Sequence, residues 1–198
     1  AYRTFGSRTN PALVLLHGYP ASSFDFREMI EFLEDDYFVA TLDFPGFGFS
    51  DKPQGGYSYM LEDDAKLVDH YVTDILGLTS FSLFTHDRGV SVGLAFLSDY
   101  LSNESNPYEV TYHFMSNSGM FLPLANLFPQ QTVLLDPVRG PAETARRQAL
   151  PRRTEGTPVQ LAYADIEAFN DGIGARLGVG KYLLERVANE YRWLAILP

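Results

Sequence analysis

Four short apolar runs, Ala12 to Leu16, Tyr37 to Leu42, Ser80 to Thr85 and Val110 to Met115, alternate with longer amphipathic stretches. Runs that short suit buried strands, and their alternation with helical periodicity predicts βαβ units around a parallel sheet. Ser22 or Ser23 is placed to cap a helix whose apolar stripe is Phe26, Met29, Ile30 and Leu33. A second helix is predicted from about Tyr59 to Leu76, with Leu61, Ala65, Val68, Val72 and Ile75 on one face. A third opens near Gly89, where Gly89 and Gly93 let it pack close to the sheet. The chain shows no fixed-period repeat and no low-complexity tract.

Beyond Gly119 the pattern changes. Pro123, Pro129, Pro137, Pro141, Pro151 and Pro158 interrupt the chain, and strand-like runs stop. Residues 1–120 are expected to form a core and residues 121–198 a lid, with Lys181 to Leu197 helical in pattern. At 198 residues and 45% hydrophobic content, the chain can bury one core with a small appendage. Lysine and arginine total 15 against 25 acidic residues, a net charge of −10. That surface repels nucleic-acid phosphates and anionic lipid. No apolar run approaches the ~20 residues of a membrane-spanning helix. Ala1 to Asn10 lacks a signal-peptide pattern. The absence of cysteine excludes disulfides, thiol catalysis and Cys-type zinc sites, and a cytoplasmic setting is the expectation that accords with it.

Chemistry concentrates at Phe84-Thr85-His86-Asp87-Arg88-Gly89, on a strand end and a helix start. An aspartate there is ordinarily a helix cap. The same position also suits a nucleophile elbow, a sharp turn exposing one side chain above the sheet with small residues around it. Gly89 fits the small position after the nucleophile, and Thr85 fits the one before it loosely. A second motif, His17-Gly18-Tyr19-Pro20, follows the first buried strand and reads as either a Gly/Pro turn or an oxyanion loop. In the latter reading the donors are the backbone amides of Tyr19 and Arg88, while His17, Gly18 and His86 shape the turns. The third motif, Asp43 to Pro53, carries no obvious chemistry and reads as a structural turn. The three occur in order, each at a predicted strand end.

From His17 to Asp87 the sequence resembles the haloalkane dehalogenase and epoxide hydrolase branch of the α/β-hydrolase fold. That branch shows a strand ending in HGxP, a DxxGxGxSxxP loop and a GHDxG elbow. The resemblance extends over about residues 11–120, and Asn170-Asp171-Gly172 and Tyr182 to Leu194 look like a dehalogenase-type lid. It implies a mostly parallel sheet with helices on both faces, a helical lid, and attack by Asp87 on saturated carbon through an alkyl ester. No metal or organic cofactor is implied, and the partner is a small-molecule substrate.

Two departures distinguish this chain. Haloalkane dehalogenases of this type place asparagine after the HG pair and tryptophan after the nucleophile, whereas Tyr19 and Arg88 stand here. An arginine after the nucleophile resembles fluoroacetate dehalogenases and implies a grip on substrate carboxylate, although Ser91 replaces their second arginine. Epoxide hydrolases use lid tyrosines, for which Tyr163, Tyr182 and Tyr191 are available. The expected substrate-binding residues are therefore Arg88, Tyr163 and Tyr182. The fold's chain order calls for an acid and then a histidine after the nucleophile, yet nothing after His113 is histidine. The expectation is that the final core strands lie outside this chain, in a further C-terminal segment or a second chain that completes the sheet. The alternative is a non-catalytic ligand-binding protein on a degenerate hydrolase fold.

Overall fold

The computed structural model describes residues 1–53, 55–118, 125–148 and 154–162. Strands β1 (Tyr2–Phe5), β2 (Ala12–Leu16), β3 (Phe38–Leu42), β4 (Ser80–His86) and β5 (Glu109–Ser116) form one sheet in the order β1-β3-β2-β4-β5. β3, β2, β4 and β5 run parallel, and β1 pairs antiparallel with β3. Burial on both faces explains why β2 and β3 read as unbroken apolar runs. Val14 and Leu16 face one core, with helices α2 (Leu61–His70) and α3 (Arg88–Ser102). Leu13, Leu15 and Val39 face the other, under Phe26 and Ile30. Each such side chain contributes about 1.5–3 kcal/mol by leaving water.

Ser22 caps a short 3-10 turn, Ser23–Phe26, that leads into α1 (Arg27–Leu33). Helices α4 (Pro129–Leu135) and α5 (Arg139–Gln148) follow β5, and no described residue after Ser116 lies in a strand. Pro123, Pro151, Asn170-Asp171-Gly172 and the predicted helix from Lys181 to Leu197 lie outside the described residues.

Two expectations about elements need correction. Tyr2–Phe5 was assigned to no element, yet it is an edge strand that pairs antiparallel with the free edge of β3 and leaves most of its side chains exposed. The second helix starts at Leu61, and Tyr59 precedes it at φ 62, fully buried with its hydroxyl donating to the Pro53 carbonyl. Ile75 is 43% exposed rather than on the apolar face. The helix widens into a π turn over Tyr71–Ile75, which rotates the phase and buries Tyr71 and Leu76 instead.

The sheet and α3 approach unusually closely at the carboxyl end of β2. A Cβ on Gly89 would lie 2.2 Å from the Leu16 carbonyl oxygen, and one on Gly93 would lie 2.8 Å from Thr85 Cγ2. The absent side chain at Gly93 leaves the room that Thr85 takes up, so a threonine is accommodated before the elbow.

Candidate active site

A single residue, Asp87, makes the turn between β4 and α3, at φ 51 and ψ −115. A non-glycine residue held there stores about 1–3 kcal/mol of strain. The end of β5 restrains it: the Asp87 N–H donates to the carbonyls of Asn117 at 2.8 Å and Ser116 at 3.2 Å. His86 Nδ1 donates to the same Ser116 carbonyl at 2.9 Å, so His86 braces the turn. The anchoring at Ser116 and Asn117 had no sequence signal beyond a strand ending.

Two backbone donors converge on one carboxylate oxygen. The Tyr19 N–H reaches Asp87 Oδ1 at 2.8 Å, and the Arg88 N–H reaches it at 2.6 Å. Among the described residues no donor bonds to Oδ2. Gly18 makes this convergence feasible, since a Cβ there would lie 2.6 Å from Asp87 Cβ. The cap and the elbow are therefore one geometry, because the Arg88 amide bond that caps α3 is also one of the two donors. Oδ1 sits in a preorganised pair of N–H dipoles, while the lone pairs of Oδ2 are available to an electrophile.

The loop beneath the site is built from His17 and the Asp43-to-Pro53 motif. His17 is buried, with Nδ1 donating to the Gly18 carbonyl at 2.8 Å and Nε2 accepting from the Phe44 N–H at 3.0 Å. Burial holds its pKa down at about 4, against the opposing pull of Asp43. The buried Asp43 carboxylate accepts from the Ser23 and Phe49 amides, each at 2.8 Å. Gly48, at φ +47, has no room for a Cβ against that carboxylate. These bonds pin Phe44 and Phe47, whose rings lie 5.1 and 5.4 Å from the His17 ring. The motif read as a plain turn thus forms the floor of the site.

Arg88 requires a correction. Its side chain was expected to grip a substrate carboxylate, but it is fully buried and ion-paired with the equally buried Asp64 of α2. Its guanidinium also lies 4.8 Å from the Phe44 ring and 5.1 Å from the Phe47 ring. Its charge is neutralised inside the protein. The Tyr57 hydroxyl donates to the other Asp64 oxygen. Burial pushes the Asp64 carboxyl above its ordinary pKa against the pull of Arg88, and burial together with Asp64 pushes the Tyr57 hydroxyl up. The signal for Asp64 was legible: it falls within the apolar stripe of Leu61, Ala65 and Val68, where a charge needs a buried partner.

None of the four histidines bonds to the Asp87 carboxylate among the described residues. His70 pairs with Asp74 at 2.7 Å on the surface, and His113 bonds to Thr85 Oγ1 at 2.8 Å. No group of three or more histidine, aspartate or glutamate side chains suited to a metal occurs among the described residues. No helix among them is long and apolar enough to cross a membrane. Tyr163, Tyr182 and Tyr191 lie outside the described residues.

A family model described as the alpha/beta hydrolase fold matches residues 11–111. LipZ of Mycobacterium tuberculosis, which carries a hydrolase name, is 35% identical over 200 residues, covering 95% of this chain and 67% of LipZ. Haloalkane dehalogenase 2 of Mycobacterium bovis is 33% identical over 87 residues, covering 44% of this chain and 30% of that protein. A solved epoxide hydrolase of the alpha/beta hydrolases superfamily, from hot-environment metagenomes, superposes with a TM-score of 0.69 at 19% identity. That match covers 92% of this chain and 64% of the other, and is a likeness of fold.

Proposed function

This chain belongs to the α/β-hydrolase family, and on that footing we propose that it is a hydrolase acting at saturated carbon, at a carbon–halogen bond or an epoxide, through an Asp87 ester. The observation that carries this reading is the division of labour on Asp87, with Oδ1 held by two amides and Oδ2 unbonded among the described residues. A carboxylate is a suitable nucleophile for displacement at an alkyl carbon and needs no base for it. Oδ2 forms a bond to carbon, and the carbon–halogen or carbon–oxygen bond breaks with its electron pair leaving on the halide or the ring oxygen. An epoxide oxygen then takes up a proton. Water next adds to Asp87 Cγ and gives up a proton to a general base, and negative charge develops on Oδ1 between the Tyr19 and Arg88 amides. The Cγ–O(alkyl) bond then breaks as the alkyl oxygen takes that proton and departs as an alcohol.

The second step needs a general base oriented towards Cγ, which no described histidine supplies. On this reading the base and its acid come from a further segment or chain that adds to the sheet beside β5. Tyr112, Phe114 and Met115 of that strand are 67%, 51% and 59% exposed.

The test is incubation with a panel of haloalkanes and terminal epoxides, followed by intact-mass spectrometry and digestion. The expected result is one adduct, mapped to the peptide holding Asp87. It should persist, because removal of a general base costs about 10²–10⁴ in rate. Absence of an adduct with either class, in a folded chain that still binds these ligands, would favour a non-catalytic binding protein.

A further inference from the structure

We propose that Asp64 is a positioning residue for hydrolysis of the ester, holding the Arg88 backbone amide on Asp87 Oδ1 by tethering the Arg88 side chain. This rests on the reading of Asp87 as nucleophile. Arg88 contributes both its main chain and its side chain to the apparatus described above. Its N–H meets Oδ1 at 2.6 Å, and its guanidinium pairs with Asp64 on a different helix. The α2 anchor is itself held, since the Tyr57 hydroxyl takes up the other Asp64 oxygen. The contact continues to the second donor. The guanidinium lies over Phe44 and Phe47, these rings lie against His17, and His17 Nδ1 bonds to Gly18, the residue before Tyr19.

Stability alone does not account for such a pair. Replacing a buried ion pair with apolar side chains of similar volume is often neutral or stabilising. What the pair supplies that packing does not is a direction, because a charge-assisted bond fixes where the guanidinium, and with it the adjoining backbone, points. The two steps of the reaction depend on that direction differently. Alkylation removes negative charge from Oδ1, so the donors give it little help. Hydrolysis puts negative charge on Oδ1, so the donors matter most there.

Two variants separate tethering from folding: Asp64→Asn, and the apolar double variant D64L/R88M, which is expected to stay folded. Hydroxylamine, a stronger nucleophile than water, attacks Cγ without a general base, leaving a hydroxamate on residue 87 and releasing the alkyl group as an alcohol. In Asp64→Asn adduct formation should stay within roughly threefold of wild type, while in both variants hydroxylamine-driven adduct loss slows by roughly tenfold or more. Hydrogen exchange at the residue 88 amide should speed up by about tenfold or more relative to amides in the middle of α3. Equal slowing of both steps, or an unchanged residue 88 amide, would overturn the proposal. If the wild type forms no adduct, the Asp87 reading fails, and the exchange measurement still decides whether Asp64 holds the amide.

Discussion

Gly18 and Asp87 lie so close that a Cβ built on Gly18 would stand 2.6 Å from Asp87 Cβ and 3.0 Å from Oδ1. The neighbouring Tyr19 amide reaches Oδ1 only because of this approach. Gly18→Ala should therefore push the oxyanion loop off the elbow, at a stability cost of about 1–3 kcal/mol. Hydroxylamine-driven loss of the Asp87 adduct should fall by about 10²-fold, as when one oxyanion donor is removed. Urea denaturation and adduct kinetics check the two parts separately, and wild-type kinetics in the variant would show that the loop has room to spare.

Asp87→Asn keeps the side chain's size and an oxygen able to accept both amides, so stability should change by less than about 1 kcal/mol. Adduct formation should drop to background in freshly prepared protein. A variant that unfolds, beside a wild type that never becomes labelled, would leave Asp87 with its capping role alone.

Arg88→Leu tests the corrected role of the guanidinium. With its partner gone, Asp64 is left charged and buried, which should cost about 3–5 kcal/mol in urea denaturation. Reactivity towards halo-acids and neutral haloalkanes should change by the same factor. A loss confined to halo-acids would show that the guanidinium reaches substrate after all.

Acid sensitivity should trace in part to His17. Its pKa is lowered from 6.5 to about 4 by burial, so the unfolded chain binds a proton between those values that the folded chain refuses. The stability linked to this residue is complete above about pH 6.5 and is lost as pH falls towards 4, by up to ~3 kcal/mol. His17→Gln should be less stable than wild type at pH 7.5 and should show a flatter decline across that window. Urea midpoints for both proteins at pH 4.5 and 7.5 give the comparison, and identical slopes would show that His17 already carries its proton when folded.

Local chemistry made the frame readable. The apolar runs 12–16 and 80–85 had to be strands because they are too short to bury themselves in any other way, and both are. Tyr2–Phe5 escaped notice because an edge strand carries no apolar pattern of its own. Ile75 was misplaced because a π turn changes the period of the helix, and periodicity read along a chain assumes a constant one. The Asp43 loop looked inert because its role is to receive amides from elsewhere, among them Ser23.

The sequence by itself determined the alternation of strand and helix, the turn at Asp87 and the glycines that permit close approach, since each depends on neighbours along the chain. Asp64, a charge on an apolar face, was not singled out there, and nothing along the chain names its partner. Tertiary structure alone decided that Tyr19 would meet Asp87 across 68 residues and that Arg88 would turn from substrate to Asp64 across 24. The physical reason is that a buried charge is stable only where its partner is delivered in space, and that delivery depends on how the helices pack on the sheet rather than on residue order.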